Sequence, residues 1–378
     1  MAYTPRERVL AALAHEEPDR VPLALWGSWY GVTDPLYFSV LKTLGWEPVP
    51  PFRPALLHSV NYYDDRLLEA LHVDVRHVDP GSTGAASRPT ADGTDAFGLT
   101  WETRGPYRSP SGHPLAEATV EAIGEHVLPT PDELIDAATV RERIRTVGAM
   151  EREYAVVGRA VASYGFFEMA QALRGTERFL MDLVEHPDLV EALLDRLVVC
   201  YAGLIDRFLD VAGEHLDLLE LPGDDFAGNT GPLISPAMFD QLFAERYRRL
   251  IAAIKGRCPH VRVVFHSDGV MTAFLPRLIE IGADVFHSVE PLPAWDLGEM
   301  KTLHGDRLAF TGGIDIRSAL QGEKAGVEAE VRARLRELGP GGGYILAPAN
   351  HLQPDIPPEN LFTLFEVARE LGKYPLTV

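Results

Sequence analysis

Eight short runs of apolar and β-branched residues are spaced along the chain and separated by longer stretches with helical periodicity. The runs are residues 20–26, 73–78, 154–162, 216–222, 261–266, 283–289, 307–313 and 343–349. Most of them lack alternation between apolar and polar residues, which is typical of parallel strands buried on both faces. Eight such strands alternating with helices predict an α/β fold, specifically a (β/α)8 TIM barrel.

The stretches between the later strands have the sequence features of helices. Residues 176–213 predict two consecutive helices interrupted near Pro187. Residues 235–256 begin with Ser235 and Pro236, a favourable N-cap and first-turn pair. Further helices are predicted at residues 5–17, 270–282, 296–305, 324–339 and 357–372.

One region, residues 81–130, interrupts this pattern and is rich in Gly, Pro, Thr and aromatic residues. Within it, DGTDAFGLTWETR (residues 92–104) predicts two antiparallel strands around a glycine-containing turn. We interpret the region as an insertion after the second strand that covers one end of the barrel. The sequence otherwise predicts a single domain over residues 1–378.

The charge of the chain excludes several classes of partner. Its net charge is −20, from 55 acidic and 35 basic residues, and such a surface repels nucleic-acid backbones and anionic lipid. We therefore expect neither a nucleic-acid nor a membrane partner. The apolar runs fall short of the ~20 residues of a membrane-spanning helix, and the N-terminus lacks the pattern of a signal peptide. With two cysteines, Cys200 and Cys258, a disulfide scaffold is not expected and a cytoplasmic location is the default.

Polar and aromatic side chains follow most predicted strands, at the end where the active sites of such barrels lie. In chain order they are Trp26, Trp29 and Tyr30; Tyr164 and Glu168; Asp224 and Asp225; His266 and Asp268; His287 and Glu290; Asp315; and Asn350 and His351. Helix caps that arose by chance would not be found only after the strands, as these residues are. We therefore predict that these side chains meet in one cavity at the carboxyl ends of the strands.

Imidazole and carboxylate groups dominate this set, and they are ligands that suit a divalent ion such as zinc. His266 and Asp268 are two residues apart, so in an ideal strand they face the same side and can reach one ion. His351 is the predicted third ligand, and Glu168 or Asp225 could complete the set. The same groups could instead hold substrate and move protons without a metal. The spacing alone does not choose between these alternatives.

Each candidate also has a purely structural interpretation. Asp224 or Asp225 could cap the helix that begins near Ser235, and Asp315 could cap the helix that follows it. His287 could pack within the barrel wall. The functional interpretation assigns catalytic roles to Asp224, Asp225 and Glu168, and substrate contacts to Trp26, Trp29, Tyr164, Glu290, Asp315 and Asn350.

Several stretches of the sequence resemble the uroporphyrinogen decarboxylase superfamily. They are ERVLAALAHEEPDRVPL, GDDFAGNTGPLISPAMFDQLF, FHSDG, LIEIGADVFHSVEP, MKTLHGDRLAFTGGID and GGGYILAPANHLQPDIPPENLFTLFEVAREL. The resemblance is strongest over residues 216–372 and implies a (β/α)8 barrel. True uroporphyrinogen decarboxylases carry an arginine-rich motif, RQAGR, that grips the substrate carboxylates, whereas the corresponding stretch here reads ALWGSWYGV. His351 matches a histidine that the decarboxylases use, so decarboxylation of a smaller acid stays open.

The other branch of the superfamily contains zinc-dependent methyltransferases, which pass methyl groups between a corrinoid and a thiol or another acceptor. Their zinc lies on an H-x-C pair after strand five and a cysteine after strand eight. The corresponding positions here are His266 and Asp268, and Asn350 and His351, so both cysteines are replaced. The resemblance therefore implies a harder, more Lewis-acidic centre. Such a centre suits an oxygen or nitrogen leaving group, as in demethylation of a methyl ether or amine.

Three functions are consistent with these features. The first is a methyltransferase that moves a methyl group between a small methylated substrate and a corrinoid or folate carrier, with zinc on His266, Asp268 and His351. For this function the resemblance implies a corrinoid protein as a partner. The second is a metal-independent decarboxylase in which Asp225 or Asp268 stabilises a protonated intermediate and His351 binds a carboxylate. The third is a non-catalytic barrel that binds a corrinoid or porphyrin-like ligand. A homodimer is expected by analogy with decarboxylases of the superfamily.

Overall fold

The structure, a computed structural model, describes residues 3–25, 31–52, 60–81, 93–104 and 107–378. Its strands are β1 (Val75–Val78), β2 (Thr100–Arg104), β3 (Tyr107–Gly112), β4 (Ala155–Gly158), β5 (Leu218–Glu220), β6 (Ala227–Gly228), β7 (Gly231–Pro232), β8 (Arg262–His266), β9 (Val285–Val289), β10 (Ala309–Ile314) and β11 (Tyr344–Pro348). Seven of them form one parallel sheet in the order β1-β4-β5-β8-β9-β10-β11. Seven of the eight predicted strands are therefore confirmed, with small differences at their ends.

The remaining predicted strand, residues 20–26, corresponds to a short extended segment. Leu23 forms a single parallel bridge with Leu346 of β11. On the other side, the N–H of Asp74, directly before β1, donates to the carbonyl of Leu23 at 2.8 Å. Because β1 and β11 are the two edges of the sheet, the sheet curls so that both edges approach this segment. The fold is thus TIM-like, and its parallel sheet has seven strands among the described residues.

Three aspartates, each immediately before a strand, repeat one local arrangement. They are Asp74, Asp217 and Asp284, which precede β1, β5 and β9. Each bonds through both its N–H and its carboxylate to one residue of the neighbouring element. The carboxylates accept from the N–H groups of Leu23, Val156 and Val263 at 2.8, 2.9 and 2.8 Å. Because Val156 and Val263 lie in strands β4 and β8, Leu23 occupies the equivalent position beside β1.

The α-helices are α1 (Pro5–Leu13), α2 (Asp34–Leu44), α3 (Asp65–Ala70), α4 (Val120–Glu125), α5 (Pro131–Leu134), α6 (Ala137–Gly148), α7 (Phe166–Arg174), α8 (Thr176–Glu185), α9 (Pro187–Ala212), α10 (Pro236–Phe239), α11 (Glu245–Arg257), α12 (Leu275–Ile281), α13 (Leu297–His304), α14 (Lys324–Leu338) and α15 (Pro358–Leu371). The predicted break near Pro187 and the N-cap at Ser235 are confirmed. A π-helical segment, Asp240–Ala244, joins α10 to α11. Within the described ranges, none of these helices combines the length and apolarity needed to span a membrane.

A two-stranded antiparallel ribbon, β2 and β3, follows β1 in the chain. The prediction placed both of its strands within residues 92–104, but the structure pairs Thr100–Arg104 with Tyr107–Gly112. The cause is Asp95, whose carboxylate accepts from the N–H groups of Phe97 and Leu99, each at 2.9 Å, and thereby holds this stretch in a turn. The assignment of residues 81–130 as an insertion within a single domain stays a prediction.

Candidate functional site

Asp225, His266 and Asp268 meet at the carboxyl ends of β5 and β8. Their potential ligand atoms all lie within 4.8 Å of one another. His266 Nε2 is 3.8 Å from Asp225 Oδ1 and 3.9 Å from Asp268 Oδ1. The N–H of Asp268 also donates to Asp225 Oδ1 at 2.7 Å, which ties the two loops together. Among the described residues this trio is the group of His, Cys, Asp and Glu side chains that could hold one ion.

The backbone on both sides of the trio is fixed by buried contacts. Phe226, which follows Asp225, is fully buried, and its N–H donates to Ser267 Oγ at 3.1 Å. Gly269 has φ +85°, and a Cβ there would lie 2.5 Å from the carbonyl oxygen of Ala227 in β6. The sharp turn after Asp268 therefore requires glycine, because a side chain would force this loop away from β6.

His266 and His287 are partners in the register of β8 and β9, and their Nδ1 atoms lie 2.7 Å apart. Burial lowers the pKa of both imidazoles and the Arg159 guanidinium adds to this, while the Asp268 charge partly opposes it at His266. Both rings are therefore uncharged near neutral pH, so one of the two Nδ1 atoms donates and the other accepts. An uncharged imidazole is the form that binds a metal.

Two neutral side chains orient the Asp268 carboxylate. Ser288 Oγ, from β9, donates to Asp268 Oδ1 at 2.7 Å, and Asn350 Nδ2, which follows β11, donates to Oδ2 at 3.1 Å. Asn350 was a predicted substrate contact, whereas Ser288 was missed because it lies inside an apolar strand run. Together these donors leave Asp268 facing Asp225 and His266.

Glu290 lies beside the trio and has two donors of its own. Its carboxylate accepts from the N–H of Gly269 at 2.8 Å and from Arg317 Nη2 at 3.0 Å. Burial and then the Asp268 charge raise the pKa of Glu290. Arg317 was not predicted; it is half-exposed and compensates part of the negative charge at this rim.

Glu168 connects the trio to a cavity of about 240 Å³ between helix α7 and strand β3. Tyr164 also lines this cavity, and its ring stacks on Trp101 with centroids 6.2 Å apart. Burial raises the pKa of Glu168 well above its usual value, and the charges of Asp225, Asp224 and Asp268 raise it further. Glu168 therefore carries a proton at a pH where most carboxyl groups are ionised.

Asp224 points away from the trio and caps helix α7. Its carboxylate accepts from the N–H groups of Phe167 and Glu168 at 2.8 and 2.7 Å, and from the Tyr247 hydroxyl at 2.5 Å. Burial raises the pKa of Asp224 to about 7. These contacts are those of a helix cap, which was the structural alternative for Asp224. The capped helix is α7 and not the expected helix near Ser235.

The remaining candidates lie at the edge of the site or outside the described residues. Asp315 accepts from the N–H groups of Arg317, Ser318 and Ala319, so it holds the turn after β10. His351 is separate from the trio, and its Nδ1 accepts from the N–H of Gly31 at 3.1 Å. Trp26, Trp29 and Tyr30 lie outside the described residues.

A buried ion pair lies deeper between the strands. Arg159 Nε, just after β4, is 2.8 Å from Glu220 Oε2 at the end of β5, and both side chains are almost fully buried. Arg159 Nη1 also lies 3.4 Å from His77 Nδ1. The sequence offered one sign of this pair, a charged residue inside each of two apolar runs, Arg159 within residues 154–162 and Glu220 within residues 216–222.

The family of the chain follows from comparison with known sequences. The family described as "Uroporphyrinogen decarboxylase (URO-D)" matches residues 98–371. The chain belongs to the URO-D family. This match runs from before β2 to the end of α15 and includes Asp225, His266 and Asp268.

Two curated URO-D relatives are named uroporphyrinogen decarboxylase. The protein from Neisseria meningitidis is 24% identical over 196 residues, covering 50% of this chain and 51% of that protein. The protein from Methylococcus capsulatus is 26% identical over 193 residues, again covering 50% of this chain and 51% of the relative. The chain therefore spans about half the length of the curated relatives it matches.

Solved structures support the same fold. A methyltransferase from Methanosarcina mazei superposes with a TM-score of 0.70 at 20% identity, covering 97% of this chain and 99% of that chain. A B12-independent methionine synthase from a Shewanella species, in complex with selenomethionine, superposes with a TM-score of 0.51 at 11% identity, covering 93% and 98%. At these identities the likeness concerns the fold.

The donor set of this URO-D family member fits a divalent cation. Two carboxylates and one uncharged imidazole converge, and burial together with Glu290 raises the pKa of Asp225. A cation between these groups would offset the repulsion between Asp225 and Glu290. A site with carboxylate oxygens and one imidazole nitrogen suits harder metal ions than a thiolate-rich zinc site does. Three protein ligands leave further positions for substrate, as in catalytic metal sites.

Proposed function

We propose that this protein is a metal-assisted methyltransferase that moves a methyl group between a small methylated substrate and a corrinoid or folate carrier. The observation that carries the proposal is the convergence of Asp225, His266 and Asp268 within 4.8 Å of one another. Beside them lies Glu168, whose pKa is raised by burial. The proposal includes a full (β/α)8 barrel with residues 20–26 as its remaining strand. It also includes a carrier presented by a corrinoid protein.

The trio would hold the ion, with Asp225 replacing His351 in the predicted set of ligands. When bound, the ion would supply Lewis acidity toward the heteroatom of the methylated substrate. Ser288 and Asn350 keep the Asp268 carboxylate oriented toward that position. The cavity of about 240 Å³ beside Glu168 would take the body of a small substrate.

Glu168 is the proton donor in this proposal. As the methyl group moves to the carrier, the bond between carbon and heteroatom breaks and its electron pair stays on the heteroatom. The carboxyl proton of Glu168 then neutralises that atom, so the demethylated product leaves as an alcohol or amine. The raised pKa of Glu168 suits this role, because the group must be protonated before the bond breaks.

The test is methyl transfer by protein purified without chelator and analysed for bound metals. Methyl ethers and methylamines are offered with cob(I)alamin or tetrahydrofolate, and methylation of the carrier is followed spectroscopically. We expect turnover that chelation abolishes and zinc restores. Turnover that is insensitive to chelation, or a purified protein that neither contains nor binds a divalent ion, would contradict the proposal.

The proposed role of Glu168 predicts a pH dependence. The active form carries the proton, so the rate falls as the pH rises through the raised pKa of Glu168. Glu168→Gln should lower the rate by about 10²- to 10⁴-fold and remove this alkaline limb of the profile. The matched control is Glu177→Gln on α8, which should leave both unchanged. If Glu168→Gln kept the same alkaline fall in rate, that fall would come from another ionisable group.

A second candidate function is decarboxylation of a small carboxylic acid without a metal. Its support is the name of the two curated relatives, which the chain matches over about half their length. Release of carbon dioxide from a candidate acid in the presence of chelator would favour it. Tight binding of a corrinoid or porphyrin without any turnover would favour the third, non-catalytic alternative.

A further inference from the structure

A second cavity, of about 790 Å³, lies at the end of the barrel opposite the trio. Its lining comes from His15 after α1, from residues 298–306 on and after α13, and from residues 340–341 before β11. Because the segments after α13 and before β11 lead into strands, the cavity lies at the amino ends of the sheet. It shares no residue with the candidate functional site.

Lys301, on α13, is a half-buried lysine in this lining. Its Nζ donates to the carbonyl of Gly342 at 2.5 Å, which uses one of the three donors of an ammonium group. Burial lowers the pKa of Lys301 to about 8, and no ion pair joins it to a carboxylate in the described ranges. Removing an ammonium from water is costly without a compensating anion. The position therefore suits an anion that a ligand supplies.

Two glycines shape the space around this lysine. A Cβ at Gly305 would lie 2.6 Å from Lys301 Cδ, so the stem of the lysine packs against bare backbone there. A Cβ at Gly343, where φ is +64°, would lie 3.0 Å from Lys301 Nζ and 2.8 Å from His15 Nδ1. The ammonium and the imidazole therefore converge beside Gly343.

His15 supplies a polar atom that has no partner. It occupies, with φ +57°, the left-handed position after α1, where glycine is the usual residue, so the backbone does not account for an imidazole there. Its Nδ1 is buried and lacks a hydrogen-bond partner among the described residues. Burial and then the Lys301 charge lower the pKa of His15, and its ring bonds to the backbone of Gly305. That bond therefore belongs to Nε2, and Nδ1 of the uncharged ring is an acceptor.

The other charged residues of the lining do not neutralise Lys301. Glu337 is paired with Arg334 at 3.1 Å, and Asp306 is exposed to solvent, which screens its charge. Arg336, also in the lining, adds a second positive charge. A ligand for this cavity therefore carries negative charge, together with a hydroxyl that can donate to His15.

We propose that this cavity binds a small phosphate, in which Lys301 pairs with an anionic oxygen and His15 Nδ1 accepts from a hydroxyl of the ligand. Inorganic phosphate near neutral pH carries both negative charge and a hydroxyl. The volume also leaves room for the organic part of a phosphate ester. This inference is independent of the proposed function, because the two sites have no residue in common.

The test is calorimetric titration of the full-length protein with inorganic phosphate at neutral pH and constant ionic strength. We expect saturable binding, which Lys301→Met weakens by about 10- to 100-fold because a hydrogen bond to a charged group is lost. Methionine keeps an unbranched stem that can lie along Gly305. The matched control is Lys324→Met, an exposed lysine at the start of α14, and it should bind phosphate as the native protein does.

Further titrations test the hydroxyl and the form of the ligand. His15→Phe keeps a ring without the acceptor and should weaken phosphate binding by about 2- to 10-fold. Acetate has the charge but no hydroxyl, so acetate binding as tight as that of phosphate would overturn the assignment of His15. Glycerol phosphate separates the two sources: tighter binding than that of inorganic phosphate indicates an ester, and weaker binding indicates the free ion.

The absence of saturable phosphate binding by the native protein, or equal affinity in a folded Lys301→Met, would overturn the inference. Urea unfolding establishes that each variant is folded. If Lys301→Met does not fold, nitrogen NMR of native protein with labelled lysine decides. Phosphate must then shift the Nζ resonance of Lys301, assigned through its loss in Lys301→Arg, and an unshifted resonance would reject the site.

Discussion

Zinc binding should fall by at least about 100-fold when His266 is replaced by alanine, and carrier methylation should fall below detection. His266 supplies the nitrogen ligand of the trio, and its Nε2 is 3.8 and 3.9 Å from the two carboxylates. Without it, Asp225 and Asp268 face each other with Glu168 and Glu290 nearby. Both effects are measured on one preparation, by calorimetry with Zn²⁺ and by the spectroscopic assay.

The structural cost of this substitution should be much smaller than its functional cost. Removing the ring leaves His287 without its Nδ1 partner, which costs about 1–3 kcal/mol in the free energy of unfolding. His304→Ala is the matched control and should retain both zinc binding and turnover. A His266→Ala protein that binds zinc as tightly as the native chain would remove the trio from the mechanism.

The sequence predicted the sheet well because parallel buried strands leave an unmistakable pattern of continuous apolar runs. The strand predicted at residues 20–26 is not confirmed, and for its described part the reason is local. Pro22 has no N–H to donate, so this segment pairs with β11 through a single bridge rather than a full ladder. The ribbon was misplaced because one side chain, Asp95, holds the preceding residues in a turn, and strand propensity does not reveal such a contact.

The position of the candidate site was predictable, but the direction of its side chains was not. Neighbouring residues at the end of a strand point to opposite sides, so one member of each adjacent pair faces the trio. Asp225 belongs to the trio and Asn350 contacts it, whereas Asp224 caps α7 and His351 contacts Gly31. The sequence supplies both members of each pair and does not distinguish them.

Asp74→Asn should lower the free energy of unfolding by about 3–5 kcal/mol, the cost of breaking a buried charge network. The Asp74 carboxylate is fully buried and accepts from Arg8 Nη1 at 2.7 Å, from Arg20 Nη1 at 2.7 Å and from the N–H of Leu23 at 2.8 Å. It therefore joins α1 and the Leu23 segment to the edge of the sheet at β1. The amide would leave two buried guanidinium groups without their shared anion.

Asp284→Asn provides the matched control for this prediction, because Asp284 makes the equivalent backbone contact before β9. Its side chain is 18% exposed and its cation, Lys255, is 34% exposed, so solvent screens that pair. We expect the control to lose about 1 kcal/mol or less from the ion pair, measured for both variants by urea unfolding. Equal losses in the two variants would mean that the backbone contact, rather than the buried charge network, carries the stability. In that case the attachment of residues 20–23 to β1 would not depend on the charge of Asp74.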